Sequence, residues 1–152
     1  NNVLGVPSNT SGKEILAAGK DQLSTNYPHV EQIPTQKVIA VEGQAGDYTI
    51  TTNKGTYRSK VVVIALGYTN VLAIKGLMDF VEPHALSPAD KNRIQLKNLQ
   101  HKIKEGLYVA GTLAGWRSQF AIAAGSGAQV ATDILTQWNN GKHTKVHDKI
   151  TT

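Results

Sequence analysis

The sequence predicts an α/β fold in which a parallel sheet is accompanied by an antiparallel β-meander. Three observations predict it. Short β-rich segments separated by glycine-containing turns run from Lys37 to Arg58, the mark of a meander. Two continuous apolar runs, Val61–Leu66 and Leu107–Ala110, each end in glycine, as strands covered on both faces do. Phe120, Ala124, Ala128, Ala131, Leu135 and Trp138 recur at helical spacing.

The elements follow in order. Residues 3–10 read as a loop broken by Gly5, Pro7 and Asn9, and Ser11-Gly12-Lys13-Glu14 has capping-box spacing. Ile15, Leu16, Ala18 and Leu23 give a helical face to about Thr25, which Asn26-Tyr27-Pro28 ends, because proline disfavours helix at the preceding residue. Val30–Ile33 is a short strand candidate. Lys37–Glu42 and Asp47–Thr52 are strands flanking the turn Gly43–Gly46, and Asn53-Lys54-Gly55 turns into a third strand at Thr56. Arg93–Leu96 reads as a short strand or as part of a helix over 91–104. Ala121–Ala131 is nearly all Ala, Gly and Ser, which lets a helix approach a strand or ligand closely. Asn139-Asn140-Gly141 ends that helix, and residues 142–152 form a polar tail.

Composition narrows the function. The 152 residues are 40% hydrophobic and 18% charged, with 14 glycines, enough for one modest core. Cysteine is absent, which removes disulfide scaffolds, thiolate metal sites and dithiol redox chemistry. No run approaches the roughly 18 apolar residues of a membrane span, and the first residues lack the basic-then-apolar pattern of a signal peptide. A cytoplasmic location without membrane attachment is the expectation. Sixteen Lys and Arg against 11 Asp and Glu give a net charge of +5, which suits an anionic partner. The basic residues are scattered and no basic helix carries interleaved aromatics, which argues against nucleic acid.

No catalytic constellation stands out. The five histidines show no metal-ligand spacing beyond His143 and His147, and Ser118 and Ser126 have no neighbouring His or Asp in sequence. The candidate site is instead the pair of strand ends at Gly67 and at Gly111-Thr112-Leu113-Ala114-Gly115. Ligands of open α/β sheets bind outside the carboxyl ends of strands, and a glycine turn into a helix N-terminus suits phosphate or a developing anion. The same glycines also serve as tight turns, and both readings stand at this point.

The run Val61–Gly67, then Gly106–Gly111, then Arg117-Ser118-Gln119-Phe120-Ala121-Ile122-Ala123-Ala124-Gly125-Ser126-Gly127 resembles the FAD-binding domain of thioredoxin-reductase-like flavoproteins, of the pyridine nucleotide-disulfide oxidoreductase superfamily. Gly5-Val6-Pro7 and Ser11–Glu14 look like the segment after that family's second strand, so the resemblance spans residues 1–141. It implies an incomplete Rossmann-like FAD-binding domain and FAD as cofactor. Ala65-Leu66-Gly67 matches the family's Ala-Thr-Gly beside the cofactor, and Gly111-Thr112 its Gly-Asp, whose carboxylate binds the flavin's sugar-alcohol chain. A threonine hydroxyl replaces that carboxylate only in part. Gln119 and Phe120 fall where backbone N–H groups face the isoalloxazine ring.

The chain departs from the family in four ways. The Gly-x-Gly-x-x-Gly turn that receives the pyrophosphate is missing, and so is the acidic residue that binds the ribose. Residues 68–105 are too few for a nicotinamide domain, since even one βαβ unit takes about 30 residues. There is no cysteine pair. The chain therefore reads as the carboxyl-terminal part of a longer flavoprotein whose opening βαβ is lost by truncation or proteolysis or supplied by a separate N-terminal fragment, with a homo-oligomer as the alternative partner. Two functions follow: an FAD-associated oxidoreductase without a redox dithiol, or a cofactor-free binding or assembly module on the same scaffold. Bets for cofactor contact fall on Ala65, Leu66, Gly67, Gly111, Thr112, Gln119 and Phe120, with no catalytic acid, base or metal ligand.

Overall fold

The computed structural model describes residues 3–144. The chain divides into two compact units between Lys37 and Val38. The first holds α1 (Gly12–Asn26), which buries none of its residues. Its start is the predicted capping box: Ser11 Oγ accepts from the Glu14 N–H at 3.2 Å, and Glu14 accepts from the Ser11 N–H at 2.6 Å. Hydrogen bonding to the carboxylate from the Ser11 side chain, then from the Ser11 N–H, favours its charged form and holds the Glu14 pKa below its usual value. At the other end the Tyr27 N–H closes on the Leu23 carbonyl. Val30–Ile33 is not a strand. Its β-branched residues alone do not make one, and no neighbouring backbone ladder pairs with it.

The second unit opens with the meander. Strands β1 (Val38–Gln44), β2 (Asp47–Thr52) and β3 (Thr56–Ser59) pair antiparallel in sequence order. Gln44 pairs with Asp47 across a two-residue turn. At the next turn the Thr52 hydroxyl accepts from the Lys54 and Gly55 N–H groups. Strands β5 (Val81–Pro83) and β6 (Ile94–Leu96) form a separate antiparallel ribbon, so Arg93–Leu96 resolves as strand rather than helix.

The expected parallel Rossmann-like sheet is not present. The strands of the apolar runs, β4 (Val62–Ile64) and β8 (Leu107–Val109), do pair in parallel, but among the described residues they are the one parallel strand pair. The other edge of β8 is taken by β7 (Lys102–Lys104), which arrives antiparallel through the tight connection Glu105-Gly106 and gives the order β4-β8-β7. Four of the five strand pairings are antiparallel. Continuous apolarity signals cover on two faces, but it does not fix the direction or number of neighbouring strands. Among the described strands only β8 is buried at every residue. In β4, Val63 is 42% exposed.

Residues of β8 alternate between two apolar clusters, as strand geometry requires. Leu107 and Val109 join Ile64, Leu96, Leu113 and Tyr48 on one face. Tyr108 and Ala110 meet Val130 and Ile134 of α2 (Phe120–Trp138) on the other. Helix α2 ends where expected, with Asn139 as its C-cap. Of the polar tail, residues 145–152 lie outside the described residues, and the spacing of His143 with His147 falls there in part. Among the described residues no helix is long and apolar enough to cross a membrane.

Tyr48 ties the meander to β8. Its ring is fully buried, and its hydroxyl donates to the Glu105 carbonyl at 2.6 Å. Burial, then the charge of Glu105, raises the phenol pKa. An unfolded tyrosine ionises near pH 10, so the protonated, bonded phenol stabilises the fold below that pH. The contribution is lost as pH rises through the higher folded value. Tyr48→Phe should cost about 1 kcal/mol at neutral pH. It should also flatten the alkaline arm of the stability curve, as measured by urea unfolding from pH 7 to 11.

Candidate functional site

Two strand ends lie side by side. The Ala110 N–H donates to the Ile64 carbonyl at 2.9 Å, so the parallel pairing persists to the residues just before Ala65 and Gly111. Gly67 and Gly111 both have positive φ, 72° and 71°, a conformation that costs glycine little and other residues more. A Cβ added at either would meet nothing within 4 Å. Both backbones therefore face open space, as close approach of a flat ligand requires. Ala65, Leu66 and Gly67 are exposed.

From Gly111 the chain makes a 3-10 turn to Ala114 and reaches α2 through Gly115–Ser118. Gln119 is the N-cap of α2, but its side chain accepts no capping bond. The Phe120, Ala121 and Ile122 N–H groups precede the first intrahelical bond, which Ala123 donates to the Gln119 carbonyl at 3.0 Å. Gln119 and Phe120 are exposed. The free N–H groups and the positive end of the helix dipole suit an electron-rich edge or an anion.

Thr112 stands apart from the other six sequence-predicted contacts. It is 5% exposed, and its hydroxyl is buried with no partner among the described residues. Its carbonyl accepts from His84 Nε2 at 3.0 Å. His84 Nδ1 accepts the Leu86 N–H at 3.1 Å, which places the ring proton on Nε2. The His84 ring also lies against Tyr68, centroids 5.3 Å apart, and the Arg93 guanidinium sits 3.9 Å above the Tyr68 ring. His84 thus joins the segment that follows Gly67 to the turn that follows Gly111.

Further polar groups brace the same turn. Asn98 Nδ2 donates to the Leu96 and Ala114 carbonyls, and its Oδ1 accepts from the His101 N–H. Ser126, one residue of the small-residue stretch of α2, accepts the Gly111 N–H at 2.8 Å. Its Oγ lies 2.9 Å from His101 Nε2, which also accepts from Trp116 Nε1 at 2.9 Å. Ser126 therefore has a histidine partner that no local spacing displays. The two are 25 positions apart in sequence. A serine inside an Ala/Gly stretch was the available signal, since a polar group on a close-packed helix face needs a partner.

The residues suit binding better than nucleophilic chemistry. The strand ends offer exposed backbone, a glycine at each tip and a free helix N-terminus. At Ser126, by contrast, the hydroxyl is 7% exposed, and Trp116 shares the histidine lone pair a base would use. Among the described residues no three His, Asp or Glu side chains gather to hold a metal. A cleft of about 1060 Å³ is lined by His101, Tyr108, Trp116, Asp133 and Gln137.

Ser126→Ala should leave the Gly111 N–H without its acceptor. The expected loss is about 1–3 kcal/mol in chemical unfolding, and faster amide exchange at Gly111 should accompany it.

No family model matches the chain, and no curated protein does. Among solved structures it is similar to a ferredoxin-flavin thioredoxin reductase from Clostridium acetobutylicum, with a TM-score of 0.65 and 15% identity. The match covers 95% of this chain and 84% of that one. At that identity the likeness establishes a fold in common with a thioredoxin-reductase-like protein.

Proposed function

We propose that this chain is an FAD-associated oxidoreductase of the thioredoxin-reductase-like type, or the carboxyl-terminal part of one, working without a dithiol of its own. The observation that carries the reading is the parallel pairing of β4 with β8, beyond which each chain runs on to a glycine, Gly67 and Gly111, with open space at its Cβ position. The fold likeness to a flavin-named reductase supports it. A bound flavin would supply the electron-transfer chemistry.

The chain's own residues would bind and orient. Ala65, Leu66 and Gly67 present exposed backbone from β4, and Gly111 from β8. The exposed Leu66 and Phe120 side chains supply apolar contact. The Phe120, Ala121 and Ile122 N–H groups favour electron density at the helix start. Thr112 holds the turn through its carbonyl, and its hydroxyl reaches a ligand only if the turn opens. No residue in this set moves a proton. Completion by a separate fragment that binds the pyrophosphate belongs to the same proposal.

Reconstitution with FAD tests it. After desalting, the protein should keep visible absorption near 450 nm (roughly, as a flavin gives). Gly67→Val and Gly111→Val should each abolish that retention while near-native unfolding midpoints persist for at least one of them. A colourless protein at every ratio of FAD to chain supports instead a cofactor-free binding module, the reading that the inward-facing Thr112 hydroxyl favours.

A further inference from the structure

Gln100 and His101 form the two-residue turn between Leu99 and Lys102, whose N–H and carbonyl groups bond reciprocally at 2.9 and 3.0 Å. Both turn residues have positive φ, 49° and 72°. Such a mirror-image hairpin turn ordinarily takes Asn-Gly, and a histidine there is strained. The strain accompanies a fixed ring. The His101 N–H is held by Asn98 and its carbonyl by the Val109 N–H, and the residue is 6% exposed.

The ring's protonation state follows from its partners. An indole N–H only donates, so the 2.9 Å bond from Trp116 Nε1 requires a lone pair on His101 Nε2. The ring proton is then on Nδ1, which is buried with no partner among the described residues. Ser126 Oγ accepts the Gly111 N–H, so its own proton points to the same Nε2 lone pair. One lone pair serves two donors.

The two donors differ in what they do when the ring takes a proton. Ser126 can reverse, because a hydroxyl oxygen also accepts. Trp116 cannot, and its N–H would face another N–H. We infer that His101 is a proton-operated latch on Trp116: the neutral ring holds the indole, and the imidazolium releases it while keeping Ser126. Trp116 is 46% exposed and has solvent to move into. It sits in the loop between Gly115 and the α2 N-cap Gln119, so release loosens the approach to the proposed flavin site. That functional meaning rests on the flavin reading; the latch itself does not.

The charged and titratable groups around the ring come from every neighbouring element. Lys102 and Glu105 of the β7–β8 hairpin pair with each other at 3.0 Å. The Tyr108 hydroxyl of β8 donates to Gln137, and Asp133 of α2 accepts from Gln129. These groups share the cleft with His101 and Trp116, and each has its own partner. The imidazole is left as the group whose proton decides the Trp116 bond.

Side-chain NMR of the ¹⁵N-labelled protein between about pH 8 and pH 5, the range over which histidines switch, tests the latch. Ring nitrogen shifts give the His101 tautomer. Indole exchange of Trp116 is read relative to the exposed Trp138, which Trp138→Phe assigns. At the upper end the tautomer should carry its proton on Nδ1. As His101 protonates, relative exchange of the Trp116 indole should rise roughly tenfold with the same midpoint. In His101→Gln the amide oxygen accepts at every pH, and the transition should vanish. An Nε2-protonated neutral ring would overturn the inference. So would flat Trp116 exchange across the His101 titration, a His101 that does not titrate in this range, or an unchanged transition in His101→Gln. Parallel FAD titrations separate the claims: an intact latch with no FAD binding defeats the function, and FAD binding with no latch defeats this inference.

Discussion

The second unit depends on the burial of one strand. Leu107, Tyr108 and Val109 are each almost inaccessible, and β8 has a bonded neighbour on both edges and an apolar cluster on both faces. A strand in that position has no freedom of register, because a one-residue slip would exchange its two faces. The register in turn aligns the tips of β4 and β8, and it sets the point at which α2 folds back over the sheet.

Apolar burial does not explain how the turn after β8 keeps its shape. The 3-10 turn Gly111–Ala114 is short, and such turns have weak internal bonding. Side chains supply what the turn lacks. His84 holds the Thr112 carbonyl, Asn98 holds that of Ala114, and Ser126 takes the Gly111 N–H. Each brace comes from a different element, the β5–β6 ribbon, the loop before β7 and helix α2. Because buried polar groups left unmatched are costly, this arrangement ties the position of the turn to three separate pieces of the unit.

The sequence displayed what is local. The capping box, the three meander strands and the extent of α2 all follow from periodicity, caps and turn residues within a few positions of each other, whereas Ile94–Leu96 stayed open between strand and helix. What is non-local stayed hidden. The apolarity of Val61–Leu66 marked burial, yet Val63 is 42% exposed, because the run says nothing of how many strands flank it. The antiparallel β7 reads in sequence as three alternating residues, Lys102-Ile103-Lys104, which any loop could contain. Near the site, the two glycine-ended runs marked the strands β4 and β8, which do pair in parallel. The partners His84–Thr112 and His101–Ser126 lie 28 and 25 positions apart, and no spacing rule links them.

The turn at Gln100-His101 shows how such a hidden contact constrains the chain. Glycine would relieve the backbone at position 101, where an L-residue with φ of 72° is disfavoured by roughly 1–2 kcal/mol. It would also remove the acceptor of the Trp116 indole and the partner of Ser126. Ser126 is buried, and losing a bonded partner for a buried polar group costs about 1–3 kcal/mol, so the imidazole offsets the strain its backbone carries. The histidine is retained in an unfavourable conformation because of where its Nε2 lands, between the loop that leads into α2 and the helix face that holds Gly111.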